Sequence, residues 1–322
     1  MTEHDIAVVI PTLRRPDSLA RAIRSVLALD EAAECVREIV VADNSPEGSA
    51  RAVVAGLSAN TGVPLRYVHV PTPGVATARN AALRATDAPL IAFIDDDEEA
   101  EPGWLAALLA THARTGADVT FGPIRGRIGD QAHWALAYLE RLFSRAGPER
   151  SGLTDKTWGC GNSLMTRATA LPGSAPFEVS ADQIGGEDDL LFAAVKARGG
   201  RFAWAADAWV IEHAPPHRAT LRHALQRAFA YGQSPCQEAA RLGEPRELAK
   251  WMVIGGAQTA VFGSAALALW ILRHPGRADM LDRAARGLGK VLWTSRFEPH
   301  FYGAAEVRRS DAAAAVRPVP AG

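Results

Sequence analysis

Cysteine is scarce. The 322 residues hold three, Cys35, Cys160 and Cys236, far apart and with no C-x-x-C or Cys/His ladder. That excludes a disulfide scaffold and a structural zinc site, and it suits a reduced, cytosolic setting. An excess of either charge is missing too. Thirty-five Lys and Arg face 36 Asp and Glu, for a net charge of −1, so neither a strongly basic nucleic-acid binder nor an acidic-tail protein is expected. The first residues, MTEHDIAVVIPT, have no basic region followed by a long apolar stretch; they read as a first strand, not as a signal peptide. No internal repeat is evident. What the chain does have is 48% hydrophobic and 22% charged residues, enough to fill a sizeable core and to exclude disorder for most of its length. At about twice the length of a typical domain, one large α/β domain, alone or with an appendage, is expected.

Residues 6–10 form a continuous apolar run closed by Pro11, as in a strand buried on both faces. Pro16 can open a helix, and Leu19, Ile23, Val26 and Leu27 then recur at helical spacing. Further strands are expected at 38–42 (EIVVA), 66–70 (RYVHV), 90–94 (LIAFI) and 208–211, and helices at 74–85, 102–112, 189–197 and 221–231. Strand and helix alternate at short spacing over the first 125 residues, the βαβ pattern of a parallel sheet. Ligands bind beyond the carboxyl ends of such strands. The polar residues Thr12, Asp43 and Asp95-Asp96-Asp97 sit at those ends.

Three adjacent carboxylates repel one another unless a cation or hydrogen-bond donors compensate, and at a strand end they can hold a hard divalent cation. If the strand continues, Asp95 and Asp97 point the same way and Asp96 elsewhere, toward a hydroxyl. The plainer alternative is a solvated acidic loop, since Glu98 and Glu99 follow. The second acidic cluster is Gly185-Gly186-Glu187-Asp188-Asp189, before an apolar helix. These carboxylates can serve the helix N-terminus, or one of them can act as a general base. Gly74 leads a helix start that could take phosphate; Arg79 and Asn80 follow it, but this is no Walker or dinucleotide fingerprint. Glu212-His213 comes after an apolar strand, where a lone His serves structure or ligation.

In order and spacing, VVIPT, VVADNS, PGVATARN, FIDDD, GNSL, GGEDDL and ADAWVIEH resemble glycosyltransferase family 2 over about residues 5–235. The resemblance implies a GT-A fold: an α/β, Rossmann-like, mostly parallel central sheet flanked by helices. It implies a nucleotide-binding half over about 1–120, an acceptor half over about 121–235, and a helical hydrophobic extension over 236–322. By the same resemblance Pro11, Thr12 and Arg14 lie beside the nucleotide, Asp43 hydrogen-bonds the base, usually uracil, and Arg79 serves the nucleotide pocket. Asp95 and Asp97 are the outer members of a DxD motif. Asp97 is the direct metal ligand, Asp95 or Asp96 touches ribose or sugar, and Asp95 is a second metal candidate, the frame being ambiguous by one residue. His213 completes the metal site unless its neighbour Glu212 does. Asp188 is the catalytic base, with Glu187 as the competing assignment. Trp158, Asn162 and Ser163 face the acceptor and sugar. The implied reaction is metal-dependent and inverting, from a nucleotide sugar, UDP-linked by expectation, with Mn2+ or Mg2+. The acceptor is a hydroxyl of a glycan or lipid-linked molecule, in polysaccharide or cell-envelope glycan synthesis. The alternatives are a non-catalytic binding module on the same fold or a nucleotidyltransferase; PTLRRPDS lacks the glycine that the latter's phosphate loop needs.

Residues 251–272 carry no ionisable side chain and exceed the roughly 20 residues needed to cross a hydrocarbon core. They read either as a buried or interfacial helical hairpin or as one membrane span. Spanning sends the basic stretch with Arg273, Arg277, Arg283, Arg286 and Lys290 to the far side, against the preference of such charges for the cytoplasmic face. Association with the inner face of the cytoplasmic membrane is therefore expected.

Overall fold

The computed structural model describes residues 5–59, 61–129, 134–183 and 185–299. In chain order its elements begin β1 (Ile6–Thr12), α1 (Pro16–Leu27), α2 (Ala32–Cys35), β2 (Val36–Asp43), α3 (Arg51–Ser58), β3 (Leu65–His69), α4 (Val75–Arg84) and β4 (Leu90–Phe93). They continue with β5 (Glu98–Ala100), α5 (Trp104–Thr115), β6 (Val119–Phe121), β7 (Ile124–Arg127), α6 (Leu136–Leu142), β8 (Gly152–Thr154), β9 (Ser163–Thr166), α7 (Arg167–Ala170), α8 (Glu187–Ala197), β10 (Phe202–Trp204) and β11 (Val210–His213). Three long helices follow: α9 (Leu221–Arg241), α10 (Pro245–Ile271) and α11 (Arg277–Val291). Two compact units result, one of residues 5–125 and 144–213, the other of 126–143 and 214–299. The second unit takes in α9, which packs against α11.

The main sheet has the order β3-β2-β1-β4-β9-β6-β10-β8. β1 pairs in parallel with both β2 and β4, while β9 runs antiparallel between β4 and β6. Alternation along β1 sorts its side chains. Ile6, Val8 and Ile10 join Leu19, Ile23, Val54, Trp104 and Leu108 in one core; Ala7 and Val9 join Ala76, Leu83, Leu191 and Phe192 in another. A strand with a core on each face has no polar side to show, hence its unbroken apolar run. Pro11 is tolerated because β4 ends at Phe93, opposite Val9; its missing N–H faces the side where the ladder has already stopped.

Several boundaries move. The last expected strand runs over Val210–His213, after a turn in which Ala208 N donates to Ala205 O. The acidic-cluster helix begins at Glu187, so its carboxylates lie inside its first turn. β5, which pairs antiparallel with β11 in a second sheet ordered β5-β11-β7, was not expected.

In the second unit, α9, α10 and α11 meet through glycines. A Cβ on Gly255 would lie 2.7 Å from Gly287 O, and one on Gly287 equally close to Thr259 N. Gly232 and Gly289 likewise press on the backbone of Arg286 and Phe229. Small residues let the helix backbones approach this closely. Residues 251–272 are not a hairpin: α10 is one continuous 27-residue helix with a mean hydropathy of 1.6 over its most apolar window, of which 11% is buried. It is the one helix among the described residues long and apolar enough to cross a membrane.

Candidate active site

The site forms in the first unit, where β1 and β4 end. Beyond β4 the chain turns back, with Glu98 N donating to Asp95 O at 3.0 Å and Asp95 N to Glu98 Oε2 at 2.8 Å. This turn breaks the strand, so the alternation that would place Asp95 and Asp97 on one face no longer applies. Instead Asp96 and Asp97 share one partner: Arg15 Nη1 lies 2.9 Å from Asp96 Oδ1 and 2.8 Å from Asp97 Oδ2. Asp96 also accepts from the Thr12 hydroxyl at 2.7 Å, and Asp95 faces Arg79 at 3.4 Å. Asp96, Asp97 and Glu98 are buried, which excludes a solvated acidic loop.

β11 adds to the cluster. Glu212 stands opposite Glu98 in the β5–β11 ladder, an arrangement that like charges disfavour. Burial, then Asp97, Glu98 and Asp95, push the Glu212 carboxyl well above its usual range. Burial and Asp95 push Glu98 up to about 8, and burial, opposed by Arg15, pushes Asp96 up to about 6. His213, the next residue, turns away from them. Its Nε2 is 3.2 Å from Glu99 Oε2, without hydrogen-bond geometry. The carboxylate that joins the cluster from β11 is therefore Glu212. A third arginine, Arg145, donates to Gly161 O at 2.6 Å and faces Glu98, Asp95 and Glu212; burial lowers its pKa against their pull.

The second acidic element closes the site. Glu187 is buried and pairs with Arg79 Nη1 at 2.6 Å; burial raises its pKa and Arg79 opposes the rise. Asp188 is half-buried, and among the described residues its carboxylate accepts hydrogen bonds from the backbone amides of Cys160 at 3.2 Å and Asp189 at 2.9 Å. Of the two, Asp188 is the group with a carboxylate left to offer. Between the clusters runs the loop 159–161. A Cβ on Gly161 would lie 2.6 Å from Asp95 Oδ2 and 3.1 Å from Glu98 Oε1, and one on Gly159 would lie 3.4 Å from Asp188 Oδ2.

Other expected contacts are redirected. The Asp43 carboxylate has no exposed surface. It accepts from Ser45 N and Oγ, Ala50 N and Tyr67 Oη at 2.7 to 3.1 Å, so it organises the loop after β2 and has no lone pair turned to a base. Tyr67 remains a donor, because burial and Asp43 push its phenol up to about 12. Arg14 sits at φ 56 and grips Glu47 at 2.7 Å, leaving the acidic cluster to Arg15. Asn162 is fully buried: it accepts from Trp104 Nε1 and donates to Pro123 O and Ala208 O. The Ser163 hydroxyl, also buried, donates to Cys160 O. Both hold the loop in shape. Trp158 is half-buried against Phe121 and Trp204, under Lys156. Pro11 is buried in β1. Arg15, Arg145, Glu98 and Glu212 are the members that residue patterns did not single out, or in the case of Glu212 offered only as a substitute.

A hard divalent cation fits this donor set. Asp95, Asp97, Glu98 and Glu212 are oxygen donors; after burial, neighbouring carboxylates, Asp97 included, push up the pKa values of Asp95, Glu98 and Glu212, so added positive charge is favoured among them. Among the described residues no three His, Cys, Asp or Glu side chains form a preformed cage. A magnesium-like ion that shares substrate phosphates needs only one or two protein carboxylates.

Comparison with known proteins identifies the family. The family model described as glycosyl transferase family 2 matches residues 7–171. The succinoglycan biosynthesis protein ExoM of Rhizobium meliloti (strain 1021) is 32% identical over 266 residues, covering 81% of this chain and 84% of that protein. A pre-mycofactocin glycosyltransferase of Mycobacterium tuberculosis is 28% identical over 285 residues; the match covers 85% of this chain but 54% of that longer protein. In fold, the chain is similar to the mannosyltransferase PcManGT of Pyrobaculum calidifontis, solved with GDP-Man and Mn2+. The TM-score is 0.59 at 17% identity, over 91% of this chain and 88% of that one. A mostly parallel sheet ending in paired acidic clusters, together with a family match across half the chain, places this protein in glycosyltransferase family 2.

Proposed function

We propose that the protein transfers a sugar from a nucleoside-diphosphate donor to a hydroxyl acceptor, with inversion, in building a polysaccharide. The observation that carries this is the meeting of Asp95, Asp97, Glu98 and Glu212 with Arg79 and Arg145, across one loop from a half-buried Asp188. Arg79 and Arg145 would orient the donor's diphosphate, planar guanidinium groups being suited to phosphate oxygens. Asp188 would accept the proton of the acceptor hydroxyl as it attacks the anomeric carbon. One base and no second nucleophile give a single displacement, hence inversion. Asp97, with Asp95 and Glu212 in place of His213, would hold a divalent cation, which when bound neutralises charge developing on the leaving diphosphate. The family match and the relative named for succinoglycan biosynthesis support a glycan product. A binding screen of UDP- and GDP-sugars, with and without Mn2+ or Mg2+, tests the donor. Metal-dependent binding of at least one is expected, and no binding under any condition would remove the reading.

The second unit would carry the enzyme to the inner face of the cytoplasmic membrane. Val253, Val261, Leu267 and Ile271 are more than 60% exposed and recur along α10 at helical spacing. The close packing of α11 on α10 argues against a span. Gln258 bonds to Arg283 O and to Lys290 Nζ, and α11 also carries Arg277, Asp279, Asp282 and Arg286. Each such charge at mid-bilayer costs about 2.5–3.5 kcal/mol on insertion scales, so a helix lying in the interface is favoured. The full-length protein is expected to sediment with anionic phospholipid vesicles. A Val253→Asp/Val261→Asp/Leu267→Asp variant should stay in the supernatant. Wild-type protein that remains soluble beside such vesicles would refute membrane docking.

A further inference from the structure

The segment leading into α8 is fastened to α4 by side chains at three points. Asn80 bonds both ways with the Phe177 backbone, at 2.7 and 3.0 Å. The Asp182 carboxylate accepts from Ala76 N at 2.8 Å, Thr77 N at 3.3 Å and Thr77 Oγ1 at 2.5 Å. Glu187 takes Arg79 at 2.6 Å. Asp182 is thus the anion at the α4 N-terminus, the place that sequence marks as open to phosphate. Unpaired amides and the helix dipole there offset the cost of burying it. Gly74 fits this contact, because a Cβ there would collide with the Asp182 carboxylate. Between Asp182 and Glu187 lie Gly185 and Gly186, at φ 84 and 88, a left-handed joint that L side chains rarely adopt.

We infer that Asp182 is a positioning residue for transfer: docked on α4, it fixes the near side of the glycine joint and so sets where Asp188 stands. The inference rests on the reading of Asp188 as the base. Arg79, on the same α4, touches both Asp95 and Glu187. One helix therefore references the base-bearing segment to the strand-end carboxylates. Asp182 itself touches no reacting atom in this scheme; it acts through the backbone between it and Asp188.

The test uses the full chain, Asp182→Ala, Asp182→Asn and Asp188→Asn, with UDP-glucose, UDP-galactose and GDP-mannose as donor probes. Asp182→Ala should lower kcat about tenfold or more, since small displacements of a reacting group cost that much. Its donor KM should stay within about twofold, the sign of an interaction that matters only in the transition state. Hydrogen exchange in the first turn of α8 should quicken. Asp182→Asn keeps an oxygen for the Ala76 and Thr77 amides and should recover most of the rate. If Asp182→Ala does not fold, Thr77→Val carries the test and should lower kcat in the same sense. An unchanged kcat in a folded Asp182→Ala, or a loss confined to KM, overturns the inference. An active Asp188→Asn enzyme instead sinks the base assignment, and the docking is then judged by exchange alone: unchanged protection of α8 overturns it.

Discussion

Replacing Asp188 by Asn is expected to lower kcat by roughly 10²–10⁴-fold, the range general-base catalysis contributes, with nucleoside-diphosphate binding nearly unchanged. The substitution is nearly isosteric. The Cys160 amide bonds to one carboxylate oxygen and the Asp189 amide to the other; Asn can keep its single oxygen toward Cys160 and give up the local Asp189 contact, so the loop 159–161 should stay in place. What is lost is the ability to take a proton. Glu187 cannot stand in, because Arg79 holds it in a buried pair. Turnover measured as diphosphate release, beside calorimetric titration of the diphosphate, separates the two effects. Near wild-type turnover in Asp188→Asn would return the role to another group.

Stripping divalent cations is the second large effect. Chelation should reduce turnover by more than about a hundredfold, with Mn2+ or Mg2+ restoring it. The reasoning is one of charge. Two phosphates arriving among Asp95, Asp97, Glu98 and Glu212 would meet acidic groups of which Asp95, Glu98 and Glu212 already have their pKa pushed up by burial and by their neighbours. Arg79 and Arg145 would contact the diphosphate, but Arg79 is shared with Glu187, Arg145 with Glu98, Asp95 and Glu212, and Arg15 is held by Asp96 and Asp97. The arginines present therefore leave donor and site strongly repulsive unless a further cation sits between them. Asp97→Ala should mimic chelation, and added Mn2+ should not rescue it. Undiminished turnover in chelator would mean that the arginines alone neutralise the diphosphate.

Much of this molecule is legible before folding, and the unreadable part has a physical cause. The apolar run into Pro11, the FIDDD strand end and the GGEDDL helix start are local signals, and they mark where β1, β4 and α8 begin or end. The partners of those carboxylates are not local. Arg15 reaches Asp96 across 81 residues of chain, and Glu212 meets Glu98 only because β11 pairs with β5. No periodicity announces a three-residue strand such as β5, and Arg145 lies in an irregular stretch. One group of residues shows why roles are harder to read than positions. Asp43, Asn162 and Ser163 are polar residues close to the site in sequence, yet their donors and acceptors are consumed in shaping loops. Near a buried site, backbone groups that must be satisfied compete with ligands for polar side chains.

The loop before β9 bears on any attempt to retarget the enzyme by saturation mutagenesis. Gly161 has no room beside Asp95 and Glu98, Cys160 is fully buried, and Asn162 and Ser163 are spoken for by the backbone. A library spread evenly over this stretch would spend most of its members on misfolded chains. Diversity belongs at Lys156, Thr157 and Trp158, where side chains still reach solvent and new shapes can be sampled without dismantling the scaffold beneath.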